Sequence, residues 1–236
     1  MKQFLLLLGT LLVTQLGVAQ QTTWSINITP TISYRLSALS DADASVRNGE
    51  RPVHSFDFGV QLRTRLGGRF TLGAGLMYAQ RGFANQHVAV PYQRPLLSRG
   101  YQIEFIQDYV DIPIFVTFNL AQNEQFVWYV LGGVNNGLLL RERNKVSVRT
   151  HEQNIREAPD EIQALLEQPY LGASRQHSLG ILGGFGVRAR VDDKTFIGLE
   201  TLSKVMLTPL DDYASGTQRY GYTLGLNFRF VRTLHE

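Results

Sequence analysis

Eight stretches of this chain alternate apolar and polar residues with period two. That pattern constrains the fold more than any other feature. In RYGYTLGLNFRF (219–230) every even position is apolar, from Tyr220 and Tyr222 through Leu224 and Leu226 to Phe228 and Phe230. The odd positions are Arg219, Gly221, Thr223, Gly225, Asn227 and Arg229. Trp24, Ile26, Ile28, Ile32, Tyr34 and Leu36 repeat the pattern near the N-terminus, as do Phe56, Phe58, Val60, Leu62 and Leu66, and then Phe70, Leu72, Ala74, Leu76 and Tyr78. YVDIPIFVTFNL, FVWYVLGGV and SLGILGGFGVRARV continue it. TFIGLETLSKVML is the least regular, with Ile197, Leu199, Val205 and Leu207 as its apolar face. Repeated alternation of this kind belongs to antiparallel strands that present one face to an apolar surrounding.

The connections alternate in length. Short ones lie at Gly67-Gly68, 121–125 and 192–194, and long ones at roughly 37–54, 83–101, 142–177 and 208–218. An up-and-down meander therefore carries its short turns at one end and its long loops at the other. Transmembrane barrels have this asymmetry.

A lipocalin-like soluble barrel would share the alternation but turn its apolar face inward. Aromatics cluster at the strand ends instead. Trp24, Phe70, Phe126, Trp128, Phe228 and Phe230 lie near the short turns; Tyr34, Phe56, Phe58, Tyr78, Tyr220 and Tyr222 lie near the long loops. Aliphatic residues fill the interval, as two membrane interfaces select. The polar face is poor in lysine and glutamate, and its small neutral residues suit the narrow interior of eight strands. The expected fold is all-β: an eight-stranded antiparallel up-and-down transmembrane β-barrel with short periplasmic turns and long extracellular loops, closed because every backbone group in lipid must be paired.

MKQFLLLLGTLLVTQLGVAQQ reads as a secretory signal peptide, with Lys2 as its charged start, an apolar run from Phe4 to Val13, and small Gly17 and Ala19 before a cut. This assigns 1–19 to the signal and 20–236 to the barrel domain. Without Lys2 the chain has 22 basic and 20 acidic residues, too even for a nucleic-acid surface. The absence of cysteine excludes disulfides, thiolate metal sites and a lipid-acylated cysteine.

YVDIPIFVTFNL resembles the central strand of PorT-like outer-membrane barrels of Bacteroidetes-type bacteria, and the VAQ ending of the signal, the glycine-rich strands and LGLNFRF fit the same group. The resemblance covers most of the mature chain. It implies an eight-stranded barrel in the outer membrane of a Gram-negative bacterium, with no catalytic site and an association with protein secretion. The chain departs from the usual aromatic ending, because VRTLHE follows Phe230.

No catalytic, cofactor-binding or metal-binding residue is assigned. His54, His87, His151, His177 and His235 fall in expected loops or the tail, without metal-ligand spacing. GILGGFG (180–186) lies within a strand, so Gly180, Gly184 and Gly186 read as lumen-facing space for bulky neighbours rather than a nucleotide loop. His54-Ser55 and His177-Ser178 leave a rim-located lipid-modifying enzyme as the alternative, though no nucleophile turn surrounds either serine. Pro113 cannot donate a ladder hydrogen bond and implies a bulge or local opening. Asp57, Asp111 and Glu200 face the lumen with Arg35, Arg63, Arg81, Arg188, Arg190, Lys204 and Arg229, either as a structural network or as the lining of a pore; eight strands favour the network. The loop 142–177 begins with RERNKVSVR, which extends the preceding strand, and continues with APDEIQALLEQP, which predicts a short helix at 159–168. Its stripe Ile162, Leu165 and Leu166 needs cover, by the barrel mouth or by a docked partner. The expected partners are outer-membrane lipid and a protein at this loop or in a secretion machinery; the chain is expected to be monomeric.

Overall fold

The computed structural model describes residues 22–37, 50–88, 100–149, 155–157, 176–209 and 219–235. The expected signal peptide and the expected helix at 159–168 lie outside them. The strands are β1 (Thr22–Ser37), β2 (Glu50–Arg51), β3 (Val53–Gly67), β4 (Phe70–Val88), β5 (Gly100–Gln122), β6 (Phe126–Arg149), β7 (Ile155–Glu157), β8 (His177–Arg190), β9 (Thr195–Met206) and β10 (Arg219–His235). Eight of them run antiparallel in the order β4-β3-β1-β10-β9-β8-β6-β5, and pairing of β5 with β4 closes the barrel. β2 and β7 add short ladders to β4 and β6.

Closure turns the period-two pattern into an inside and an outside. On β10, Leu224, Leu226, Phe228 and Phe230 are exposed while Thr223, Asn227 and Arg229 are buried. On β3, Phe56, Phe58, Val60 and Leu62 are exposed while Asp57, Gln61 and Arg63 are buried. The apolar face points outward, which rules out the soluble lipocalin-like reading. Aromatic pairs bound the outer band. Tyr34 stacks on Tyr222 at 5.4 Å and Phe58 packs on Tyr78 at 5.2 Å near the long connections. Trp24–Phe230, Phe70–Phe118 and Trp128–Phe185 mark the opposite level. Each pair joins neighbouring strands, so register fixes both belts.

The short turns are built for their length. Gly67 and Gly68 adopt φ of 126° and 53°, which a side chain would strain. In the β8–β9 turn the Asp192 carboxylate accepts from the Lys194 and Thr195 backbone N–H groups at 2.8 and 2.7 Å.

Two boundaries differ from expectation. Segment 83–88 extends β4 rather than forming a loop, and β5 already begins at Gly100, whereas 142–149 extends β6 as RERNKVSVR implied. β5 and β6 have 23 and 24 residues, about twice the ~9–11 that a tilted strand needs to cross a bilayer. Their ladder continues past the upper aromatic belt, where the outer face leaves lipid. There it carries Gln80 and Arg143 bonded to Asp108, and alternation by hydrophobicity no longer signals a strand. At the other end VRTLHE prolongs β10 as far as His235, paired with Thr22.

Pro113 produces a local opening without a slip. β4 and β5 pair at Ala74–Ile114 and again at Met77–Asp111 in the same register, with no bridge between. The missing N–H interrupts the ladder opposite Gly75, while Pro113 still aligns with Asn135 on β6.

Candidate functional site in the lumen

The lumen is filled by two ionic clusters with an apolar layer beside them. Toward the long connections, Lys204 on β9 extends its ammonium to Asp57 Oδ2 at 2.5 Å and to Asp111 Oδ2 at 3.2 Å. Arg81 on β4 holds both Asp111 oxygens, at 2.5 and 2.6 Å, and donates to Ser178 Oγ at 3.0 Å. Two cations and two carboxylates balance, and Asp111 is fully buried. Burial of charge requires such pairing. Above this cluster Arg35 lies 3.6 Å over the Phe83 ring, which stacks on Phe105.

Toward the short turns, Glu200 is the hub. Its Oε2 accepts from Arg63 at 3.2 Å, from the Tyr129 hydroxyl at 3.0 Å and from Arg229 at 3.4 Å, and its Oε1 accepts from Asn227 at 3.0 Å. Arg229 also bonds the Tyr129 hydroxyl and Asn27 Oδ1. Here two guanidiniums face one carboxylate. Arg63 further lies 4.6 Å over the Phe115 ring.

Phe115, Tyr129, Leu131 and Leu182 pack together against Leu202, which sits between Glu200 and Lys204 on the same face of β9. Sequence reasoning expected small polar residues here and missed this apolar layer. Its signal was parity: Phe115 is in phase with Asp111, and Tyr129 is out of phase with Trp128. The large rings fit because glycine faces them. A Cβ at Gly186 would lie 2.6 Å from the Tyr129 ring, and one at Gly73 would lie 2.4 Å from Phe115. Gly186 thus makes room for Tyr129, and a Cβ at Gly180 would lie 3.0 Å from the Met206 methyl, whereas one at Gly184 would first meet the Thr201 carbonyl oxygen of the neighbouring strand at 2.3 Å.

The ionic residues expected to share the lumen do so, except at its ends. Arg190 is exposed and bonds Asp193 at 2.6 Å. Arg188 lies 5.5 Å from the Phe196 ring at the short-turn mouth. There a cavity of about 290 Å³ opens, lined in part by Arg63, Arg65, Arg188, Asn119 and Gln122.

The two His-Ser pairs are not brought together as dyads. Successive strand residues point to opposite faces. His54 and His177 are exposed, whereas Ser55 and Ser178 are buried. Ser55 Oγ bonds Thr31 and Ser33, and Ser178 Oγ accepts from Arg81. Both serines are thus held by lumen partners. His151 and the side chains of His87 and His235 lie outside the described residues. Among the described residues no group of three or more His, Asp or Glu side chains is placed to hold a metal ion.

Several solved structures are similar to the chain at low identity. Ail of Yersinia pestis, solved with the heparin analogue sucrose octasulfate, is 14% identical, with 89% of this chain and 99% of that chain covered and a TM-score of 0.35. OprG from Pseudomonas aeruginosa is 9% identical over 92% of this chain and 98% of that chain, with a TM-score of 0.46. The outer-membrane protease OmpT from Escherichia coli is 9% identical over 92% and 97%, with a TM-score of 0.45. No curated protein matches the chain. The model of one family does, over residues 18–201. With its closed barrel, its lipid-facing aliphatic band and this match, the chain belongs to the outer membrane protein beta-barrel domain family and resides in the outer membrane of a Gram-negative bacterium.

Proposed function

We propose that this barrel is a non-enzymatic, monomeric protein of the PorT-like type, associated with protein secretion, that acts through its extracellular connections or through partner proteins. The filled lumen carries this reading. Asp57, Asp111 and Glu200 are spent on Lys204, Arg81, Arg63 and Arg229, and aromatic rings occupy the space beside them. A bore so occupied offers no route for solute, and the rim serines are held by lumen partners. Recognition of a protein partner then falls to the end of the barrel where β4, β5 and β6 project past the membrane and the long connections join them.

Crosslinking with pull-down from intact cells tests the proposal, comparing the full chain with a variant lacking 150–174. The variant should still insert as a heat-resistant barrel, because the segment joins strands outside the bilayer, and should lose its crosslinked partner. A partner retained after deletion would move the contact away from this loop. Enzymatic turnover of outer-membrane lipid by the purified protein, lost in His177→Ala with the barrel intact, would overturn the non-enzymatic reading.

A further inference from the structure

The short-turn mouth of the barrel is a basic cavity with more guanidinium than it uses. Its walls carry four arginines, Arg63, Arg65, Arg188 and Arg190, against two acids, Glu124 and Asp193. Two of the four are committed. Arg63 reaches down to Glu200, and Arg190 is held by Asp193. Arg65 donates to the Gly68 carbonyl and forms no ion pair among the described residues. Arg188 has no hydrogen-bond acceptor among the described residues. Its Nε is buried without a partner, its guanidinium rests by the Phe196 ring, and it feels the like charges of Arg229 and Arg65. The Glu200 cluster beneath carries one cation in excess, so no charge from the lumen offsets them.

Like charges gathered in a concavity, with a free donor fork among them, are complementary to an oxyanion. Guanidinium binds carboxylate and phosphate through paired, charge-assisted hydrogen bonds. Asn119, Gln122 and Gln125 supply neutral polar groups around the same space. At about 290 Å³ the cavity is at the small end of ligand pockets, ~300–1,000 Å³, and fits a compact molecule rather than a polymer. It opens on the side of the short turns and the chain termini, which is the periplasmic side.

We infer that this vestibule is a periplasmic binding site for a small carboxylate- or phosphate-bearing molecule, with Arg188 and Arg65 as its anchoring cations. The site is independent of the extracellular end invoked above. Anion occupancy would offset the surplus charge of the Arg63–Glu200–Arg229 cluster and so stabilise the lower half of the barrel.

Calorimetric titration of the mature protein in neutral detergent, at low ionic strength, tests this with inorganic phosphate and with succinate. At least one should bind saturably at a single site. Saturation by phosphate alone assigns a phosphate-bearing ligand, saturation by succinate alone a carboxylate, and saturation by both a general oxyanion site. Arg188→Gln should weaken binding about tenfold, the scale of one lost charge-assisted pair. Arg141→Gln, on the outer face beyond the upper aromatic belt, should not. Heat-modified electrophoretic mobility checks that each variant is folded. If Arg188→Gln does not fold, Arg65→Gln is read in its place, and unchanged affinity there overturns the site. The inference also fails if neither anion saturates in the millimolar range, or if Arg188→Gln and Arg141→Gln weaken binding equally.

Discussion

Lys204→Met is the sharpest probe of the filled lumen. The ammonium is the single cation that Asp57 meets among the described residues, at 2.5 Å, and Asp57 Oδ1 has no partner. Asp111 has a second cation in Arg81, which grips both of its oxygens. The substitution therefore strands one carboxylate and leaves the other paired. Removing one partner of a buried ion pair costs ~3–5 kcal/mol, because an uncompensated charge stays out of water. Adding Asp57→Asn removes that charge and should return ~1–3 kcal/mol, read as coupling in a double-mutant cycle. Urea unfolding from lipid vesicles measures both. Trp24 and Trp128 are the two tryptophans and both sit in the lower aromatic belt, so their emission reports insertion at the end away from the mutation. A loss below ~1 kcal/mol, the scale of exposed pairs, would mean that water reaches Asp57 and that the lumen is not packed. A double variant no more stable than Lys204→Met would refute the charge argument in the same way.

Three further outcomes are expected. Leu226→Arg, midway between the Tyr222 and Phe230 belts and facing out, should cost ~2–4 kcal/mol in vesicle unfolding, and Leu224→Arg less because it lies nearer the upper interface; equal tolerance of both would refute the lipid-facing assignment. The Asp192 carboxyl is held below its ordinary 3.8, first by the Lys194 backbone N–H and then by Thr195, so its contribution to turn stability is present above the unfolded value and lost as pH falls through the folded one; a carboxyl NMR titration with its midpoint at or above 3.8 would contradict this. In a planar bilayer the purified barrel should show no steady conductance, and a stable, voltage-independent channel would contradict the packed lumen.

The Glu200 hub shows how local pattern and closure divide the work. Asn27, Arg63, Tyr129, Glu200, Asn227 and Arg229 come from five different strands, β1, β3, β6, β9 and β10. Parity along each strand is enough to turn each of these side chains inward, and nothing in parity says which will meet. That depends on register and on the order in which the sheet closes, since Asn27 reaches Arg229 only because β1 pairs with β10. The same holds for Ser178, whose sequence neighbour His177 suggested chemistry and whose spatial neighbour Arg81 gave it a structural bond.

By itself the sequence determined what a local repeat can carry: strand existence, the face of each residue, the two aromatic belts and the asymmetry of the turns. These rest on neighbours two residues apart and on the solvent that each face requires. Only the tertiary structure decided the extension of β4 and β5 beyond the membrane, because outside lipid the outer face loses its hydrophobic signature while the backbone ladder continues. It also decided the apolar layer around Phe115 and Tyr129, which needs the glycines of facing strands, and the gathering of Arg63, Arg65, Arg188 and Arg190 at one mouth. Residues far apart in the chain acquire a common potential only when the barrel closes, and period-two alternation along a single strand contains no term for that distance.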